Sequence, residues 1–301
     1  MTPDPKHADV VLCIGAVLWD VIGRSRGAMA LGDDLPGRII RRPGGVALNV
    51  AAALAREGMR PVLLGAIGED AEGHALCAVC DGMGIETAHL HRAPLHPTDI
   101  YIAIEADQGL AGAVADTAGL EAAGAAILAP LGDGRLGADG APFRGIAVVD
   151  GNLPEALLAE IAAGPALARA DLRLAPASPA KARRIAPLVG DGRVTLYLNR
   201  AEAGVLLGRV FPDAASAAGA LRAAGVRRAL VTDGQDPAVF AAEDGMFERR
   251  PATLAPVHVT GAGDALMAGH IAAERAGADP ATALAAALDA AARHVGGGIA
   301  R

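Results

Sequence analysis

The sequence predicts an α/β protein, a three-layer α/β/α sandwich with a mostly parallel central sheet and a small separate β-sheet. Three observations predict it. Apolar runs of strand length alternate with helix-forming stretches through most of the 301 residues, and repeated strand-then-helix units imply parallel strands with helices on both faces. Gly or Asn stands after several of the helical stretches, where C-terminal caps need it. Two stretches break this rhythm with short runs of period two, the pattern of strands exposed on one face.

Taken in order, "DVVLCIGAV" predicts a buried strand. "ALNVAAALAREG" predicts a helix ended by Gly58, "RPVLLGAIG" a strand, and "AEGHALCAVCDGMG" a second helix ended by glycine. Next come the strand "GIAVVDGN" with the helix "PEALLAEIAAG", and the strand "LRLAP" with the helix "PAKARRIAPLVG". The strand "VTLYLN" leads into the helix "RAEAGVLLG", and the helix "AASAAGALRAAG" precedes the strand "RRALVTDG". Residues 20–43 and 97–115 carry the period-two runs, with "TDIYIAIEA" alternating cleanly. They are expected to form a lid on one domain spanning 1–301. "LGDGRLGADGAPFRG" is expected to be a mobile surface loop.

Composition narrows the function. A net charge of -7 and the absence of a long basic tract argue against a protein that works by neutralising nucleic-acid phosphates. Aromatics make up only 2% of the chain, so Ala, Val, Leu and Ile must fill the core. The apolar run "VVLCIGAVLW" is too short to span a bilayer. Acidic residues precede it and Asp20 closes it, so it reads as a strand rather than a signal peptide, and a cytoplasmic protein is expected. Cys77 and Cys80 form a C-x-x-C, but no second pair completes a metal site and Cys13 stands alone. They read as two small apolar residues on one helix face.

Four stretches could carry chemistry. In "PVHVTGAGDALMAGHI", Gly261, Ala262 and Gly263 stand directly before Asp264 at an expected helix start. Small residues let backbone N–H groups face an anion, and the helix N-terminus adds partial positive charge. A carboxylate beside them could take a proton from an attacking hydroxyl. The same residues also fit a plain tight turn with a first-turn acid. In "RPGGVALNVAAALAREG", Gly44 and Gly45 precede a helix and Asn49 offers a donor and an acceptor to hydroxyl groups. In "LYLNRAEAGVLLG", Asn199 and Glu202 could organise Mg2+ and its waters, or form a helix capping box, or both. In "ALVTDGQDPAVF", Thr232, Asp233 and Gly234 suit a phosphate turn or an ordinary β-turn.

Together, and in this order on strand–helix units, these motifs resemble the ribokinase-like (PfkB) carbohydrate and nucleoside kinases. "GGVALNVAAALAREGMRPVLLGAIGEDAEGHAL" is similar to the family's first signature and "VTGAGDALMAGHI" to its second. The resemblance runs essentially the whole length of the chain. It implies an ATP-dependent kinase of a nucleoside or sugar, with Asp264 as the base and Gly261, Ala262 and Gly263 as the anion hole. It implies Gly44, Gly45, Asn49 and Asp20, taken as the end of the first strand, as substrate-binding residues. Asn199, Thr232, Gly234 and Thr260 are implied on the ATP side, with Mg2+ held by Asn199 and Glu202 through water.

"VHVTGAGDALMAGHIAA", "VVDGNLPEALL" and "HPTDIYIAIEADQG" are similar to the nucleoside-kinase subgroup that acts on pseudouridine. That adds Asp150 and Asn152 near the cleft, and Thr98 and Tyr101 on the lid strand over the nucleoside. His258 stands where many members have an Asp that helps bind a monovalent cation, which leaves K+ dependence open. Pro237 stands where a second glycine often follows, and the chain ends soon after "AARHVGGGIAR", touching the expected adenine pocket. A homodimer through the lid is expected, because an exposed sheet needs covering. A kinase of a free sugar or another nucleoside, and an inactive nucleoside- or sugar-binding protein, are the alternatives. A dinucleotide-binding dehydrogenase is disfavoured, because "GAVLWD" lacks the G-x-G-x-x-G spacing.

Overall fold

The structure, a computed structural model, describes residues 10–107, 109–138, 140–253 and 260–296. The chain starts with β1 (Val10–Ile14), every residue of which is buried. Its side chains alternate between the two sheet faces: Val10, Leu12 and Ile14 join one core cluster, Val11 and Cys13 the other. This is why β1 reads as a continuous apolar run. After Gly15 the chain leaves for β2 (Leu18–Ser25) and β3 (Gly37–Gly44), then returns through α1 (Val46–Arg56) and β4 (Arg60–Leu64). The short β5 (Ala66–Gly68) follows, and α2 (Ala71–Gly82) is started by the Asp70 side chain, which accepts from the Gly73 N–H at 2.8 Å.

Next come β6 (His91–Ala93), β7 (Ile100–Ala106), β8 (Gly109–Asp116) and α3 (Ala118–Ala123), with a 3-10 stretch over Gly124–Leu131. The second half runs β9 (Ile146–Asp150), α4 (Glu155–Ala163), β10 (Asp171–Ala175), β11 (Val194–Asn199), α5 (Arg200–Leu207), α6 (Ala214–Ala223) and β12 (Arg228–Asp233). It ends with β13 (Asp236–Ala242), β14 (Gly245–Arg249), α7 (Ala262–Arg275) and α8 (Pro280–Val295).

Among the described residues the main sheet has the order β14-β13-β12-β11-β10-β9-β1-β4. Its six strands from β12 to β4 are parallel, and β13 and β14 add an antiparallel edge. One face packs on α3 to α6, the other on α1, α2, α7 and α8. The two period-two stretches pair as a separate four-stranded sheet in the order β3-β2-β7-β8. Cys77 and Cys80 are free and buried in the α2 side of the core, and burial pushes the Cys80 thiol up to about 12, so both act as packing residues.

Three expectations change, and one element is new. Asp20 does not end the first strand; it lies within β2, in the smaller sheet. The segment Pro179–Leu188 is 3-10 rather than α-helical, and Pro187, which lacks an N–H, sits inside it. The stretch from Leu131 to Gly145 is not a free surface loop. Leu131, Leu136 and Phe143 are buried in the core, and the Phe143 N–H donates to the Ala166 carbonyl at 3.1 Å. The β13–β14 hairpin was not anticipated. There the ladder between β12 and β13 slips between Val231 and Asp233, opposite Pro237, which has no N–H to give.

Candidate active site

Two helix starts meet above the carboxyl ends of the parallel strands. At the first, Gly45 precedes α1 with φ 96, and a side chain there would sit 2.3 Å from the Ala16 carbonyl oxygen. Only glycine fits both demands. At the second, Gly261 precedes α7 with φ 87, and Asp264 lies in the first turn. The two are joined directly: the Asn49 amide donates to Asp264 Oδ2 at 3.0 Å. Asn49, expected only to face substrate, therefore also orients the carboxylate.

Asp264 has an unusual protonation state. Burial pushes its carboxyl up to about 7, the Asn49 hydrogen bond pulls it back, and the negative charges of Asp150, Asp20 and Glu202 raise it further. The side chain keeps some exposure toward the cleft while the protein surrounds it. A carboxylate that ionises near neutral pH, beside the open start of a helix, is suited to taking a proton where negative charge also gathers.

Asp20 is buried beside Gly44, whose missing side chain would otherwise overlap the Asp20 carboxyl at 2.3 Å. Arg42 Nε lies 3.6 Å from Asp20 Oδ2; burial raises the Asp20 pKa and Arg42 pulls it down. Tyr101, half-buried on β7, is paired directly across from Asp20 on β2. On the far side of the cleft, Asn199 and Glu202 form the capping box of α5. The Asn199 side chain accepts from the Glu202 N–H, and the Asn199 N–H donates to Glu202 Oε2, both at 2.8 Å. Asn199 is also the neighbour of Thr232 across the β11–β12 ladder, and Gly234 turns with φ 62. Arg200 Nε holds the same turn by donating to both Asp233 oxygens at 2.8 Å.

Two expected substrate residues are placed otherwise. Asp150 has no exposed surface; its oxygens accept from the Ala16 N–H at 2.9 Å and from the backbone and side chain of Asn152. Its carboxylate is consumed in holding the strand-end turns and reaches the cleft only through its charge. Asn152 keeps partial exposure, and its Oδ1 accepts from Lys181. Thr98 lies before β7, not on it, and is buried: its hydroxyl donates to Asp70 Oδ1 and accepts from the Gly68 N–H at 3.2 Å. It ties the α2 start to the β5 end.

Thr260 is exposed, while its carbonyl accepts from His294 Nε2 at 2.8 Å. His258 lies outside the described residues. Lys181, Arg200 and His294 escaped the sequence reading because their partners, Asn152, Asp233 and Thr260, lie 29 to 34 positions away and leave no local pattern. Among the described residues no group of three or more His, Cys, Asp or Glu could hold a metal ion. None of the described helices is long and apolar enough to cross a membrane.

Two glycine-started helices thus bring Asn49 and Asp264 together at one end of the parallel sheet. The chain matches the pfkB family carbohydrate kinases over residues 8–297 and belongs to that family. It is thus an ATP-dependent kinase of a sugar or nucleoside, on the ribokinase-like fold. Among named relatives, it is 30% identical over 269 residues to the pseudouridine kinase of Escherichia coli (strain K12), an alignment covering 88% of this chain and 83% of that one. A carbohydrate kinase from Agrobacterium tumefaciens superposes with a TM-score of 0.78 at 27% identity, over 94% of this chain and 90% of that one. The Arabidopsis thaliana ribokinase complexed with ribose and ATP shares the fold, with a TM-score of 0.73 at 19% identity over 98% and 93% of the two chains.

Proposed function

We propose that this chain is a pseudouridine kinase, transferring the γ-phosphoryl group of ATP to the 5'-hydroxyl of pseudouridine. The observation that carries the substrate choice is the 30% identity to the Escherichia coli pseudouridine kinase along 88% of the chain. The Asn49–Asp264 pair at the start of α7 supports the chemistry. Asp264 takes the proton of the 5'-hydroxyl as its oxygen attacks the γ-phosphorus. The bond to the bridging oxygen breaks and ADP leaves with that electron pair. The backbone N–H groups of Gly261, Ala262 and Gly263 face the charge on the transferring group. Asp20, Gly44, Gly45 and Asn49 hold the sugar hydroxyls, Tyr101 and Asn152 contact the nucleoside, and Thr232, Gly234, Asn199 and Thr260 line the ATP phosphates.

Mg2+ would arrive on ATP and neutralise phosphate charge. Glu202 fits such a partner: it is nearly buried, burial raises its pKa, and one of its oxygens is already taken by the Asn199 N–H. That leaves it suited to hold the ion through water rather than in a closed protein cage.

We also infer a cytoplasmic homodimer joined through the small sheet. Ile39, Ile102, Ile104 and Val114 are exposed there, and Ile102 pairs directly with Val114.

The test compares ADP release with MgATP and pseudouridine, uridine, ribose, adenosine or fructose. Turnover highest with uridine or ribose overturns the pseudouridine assignment. Saturable nucleoside binding with no ADP from any acceptor favours the binding-protein alternative.

A further inference from the structure

We infer that His294 is a positioning residue that aims the backbone N–H of Gly261 into the phosphate site. This rests on the reading of Gly261 to Gly263 as the anion hole. Nε2 of His294 lies 2.8 Å from the Thr260 carbonyl oxygen. A carbonyl only accepts, so this nitrogen carries the proton. The Thr260 carbonyl and the Gly261 N–H belong to one trans peptide unit and point in opposite directions. Fixing the carbonyl on the α8 side therefore fixes the N–H on the other side. The same hydrogen bond polarises the peptide unit and makes its N–H a stronger donor.

The surrounding packing is built for this contact. A side chain on Gly261 would lie 3.1 Å from His294 Nε2, 3.2 Å from its Cε1 and 3.9 Å from Asp264 Oδ2. The missing Cβ thus leaves room for the imidazole, while the carboxylate stays at ordinary contact distance. The ring is brought there by a close helix crossing. Gly269 on α7 would meet the Ala290 Cβ at 2.5 Å if it carried a side chain. Ala290 stands one helical turn before His294 on the same face of α8. Gly269 lets the helices approach, and the approach seats His294 under the turn.

The experiment compares wild type with His294→Ala, His294→Gln and His294→Phe. It follows kcat and KM on the fastest acceptor, and amide hydrogen exchange over residues 261–265. Loss of the donor should lower kcat by about tenfold in the Ala and Phe variants, with acceptor KM within about twofold, because the turn is misaimed while the sugar site is intact. Gln, which can donate to the same carbonyl, should recover most of kcat, and added imidazole should raise kcat of the Ala variant. Exchange over the turn should quicken in Ala and Phe and stay slow in Gln.

Equal kcat in all four proteins, or equal losses in Gln and Phe, overturns the inference. If the Ala variant does not fold, the Gln and Phe pair decides. If wild type phosphorylates no acceptor, the proposed function fails by itself. The exchange comparison then still decides the positioning role: turn exchange in Ala or Phe equal to wild type overturns it.

Discussion

Asp264→Asn should make the protein more stable while removing its activity. The wild-type carboxyl ionises at about 7 in the folded chain, against an ordinary value of 3.8. Between those values the folded state holds a proton that the unfolded state has lost. Stability from this group is therefore fully present below the ordinary value and is lost as pH rises through the folded one. A shift of about 3 units at 1.36 kcal/mol each corresponds to about 4 kcal/mol of penalty for the ionised form above pH 7. Water in the cleft relieves part of it, leaving about 2 kcal/mol. The carboxamide removes that penalty, and its oxygen can still accept from Asn49. With an unfolding entropy of about 2.1 cal/mol/K per residue, the melting temperature at pH 8 should rise by about 3 °C.

Thermal and urea unfolding of both proteins at pH 5, 6, 7 and 8 measures this, and the carboxylates distant from Asp264 cancel in the difference. The gain should grow from pH 5 to pH 7 and then level off, while kcat falls by about 10²- to 10⁴-fold for loss of a general base. A variant no more stable than wild type at pH 8, or a difference constant with pH, would refute the buried-charge account. Retained turnover would refute the base.

Asn49→Ala removes the donor that favours the ionised Asp264, so the acid limb of kcat/KM should move up by about one pH unit, for the loss of a hydrogen bond to a charged group; a limb that stays in place or moves down refutes the pairing. Gly45→Ala places a Cβ 2.3 Å from the Ala16 carbonyl at φ 96. It should lower stability in urea unfolding by on the order of 3 kcal/mol, and a neutral result would show that this backbone is not constrained. Val114→Asp puts charge on the exposed row that pairs with Ile102. Sedimentation should change from dimer to monomer with unfolding temperature nearly unchanged, and a wild type that already sediments as a monomer removes the lid interface.

The parallel core was legible because β1, β4, β9 and β11 are buried apolar runs separated by helix-forming stretches. The 3-10 segment was not, since "PAKARRIAPLVG" has the apolar spacing of a helix and the proline effect depends on what packs around it. The hairpin of β13 and β14 was hidden because Pro237 reads as a strand breaker, and only the slipped ladder opposite it shows why it is tolerated. In the site, glycines announced themselves, because backbone geometry restricts what else can stand at Gly45 or Gly261. Polar residues did not. Thr98 and Asp150 sit in stretches typical of ligand contacts, yet both are buried and their polar groups are spent inside the protein. Pairings such as Asn49 with Asp264, 215 positions apart, leave no local pattern at all.

The charges around Asp264 also bear on which acceptors suit the cleft. Asp150, Asp20 and Glu202 each push its pKa upward, so the site already crowds negative charge. Among the described residues, Arg42 sits by Asp20 and Lys181 donates to Asn152. An acceptor that carried its own phosphate would add like charge and would raise the Asp264 pKa further, away from the ionised form a base needs. An uncharged polyol or nucleoside adds none, and its hydroxyls can donate to Asp20. The charge pattern thus favours an acceptor that carries no phosphate of its own. It predicts that ribose 5-phosphate and fructose 6-phosphate give no more ADP than the blank, and clear turnover with either would contradict it.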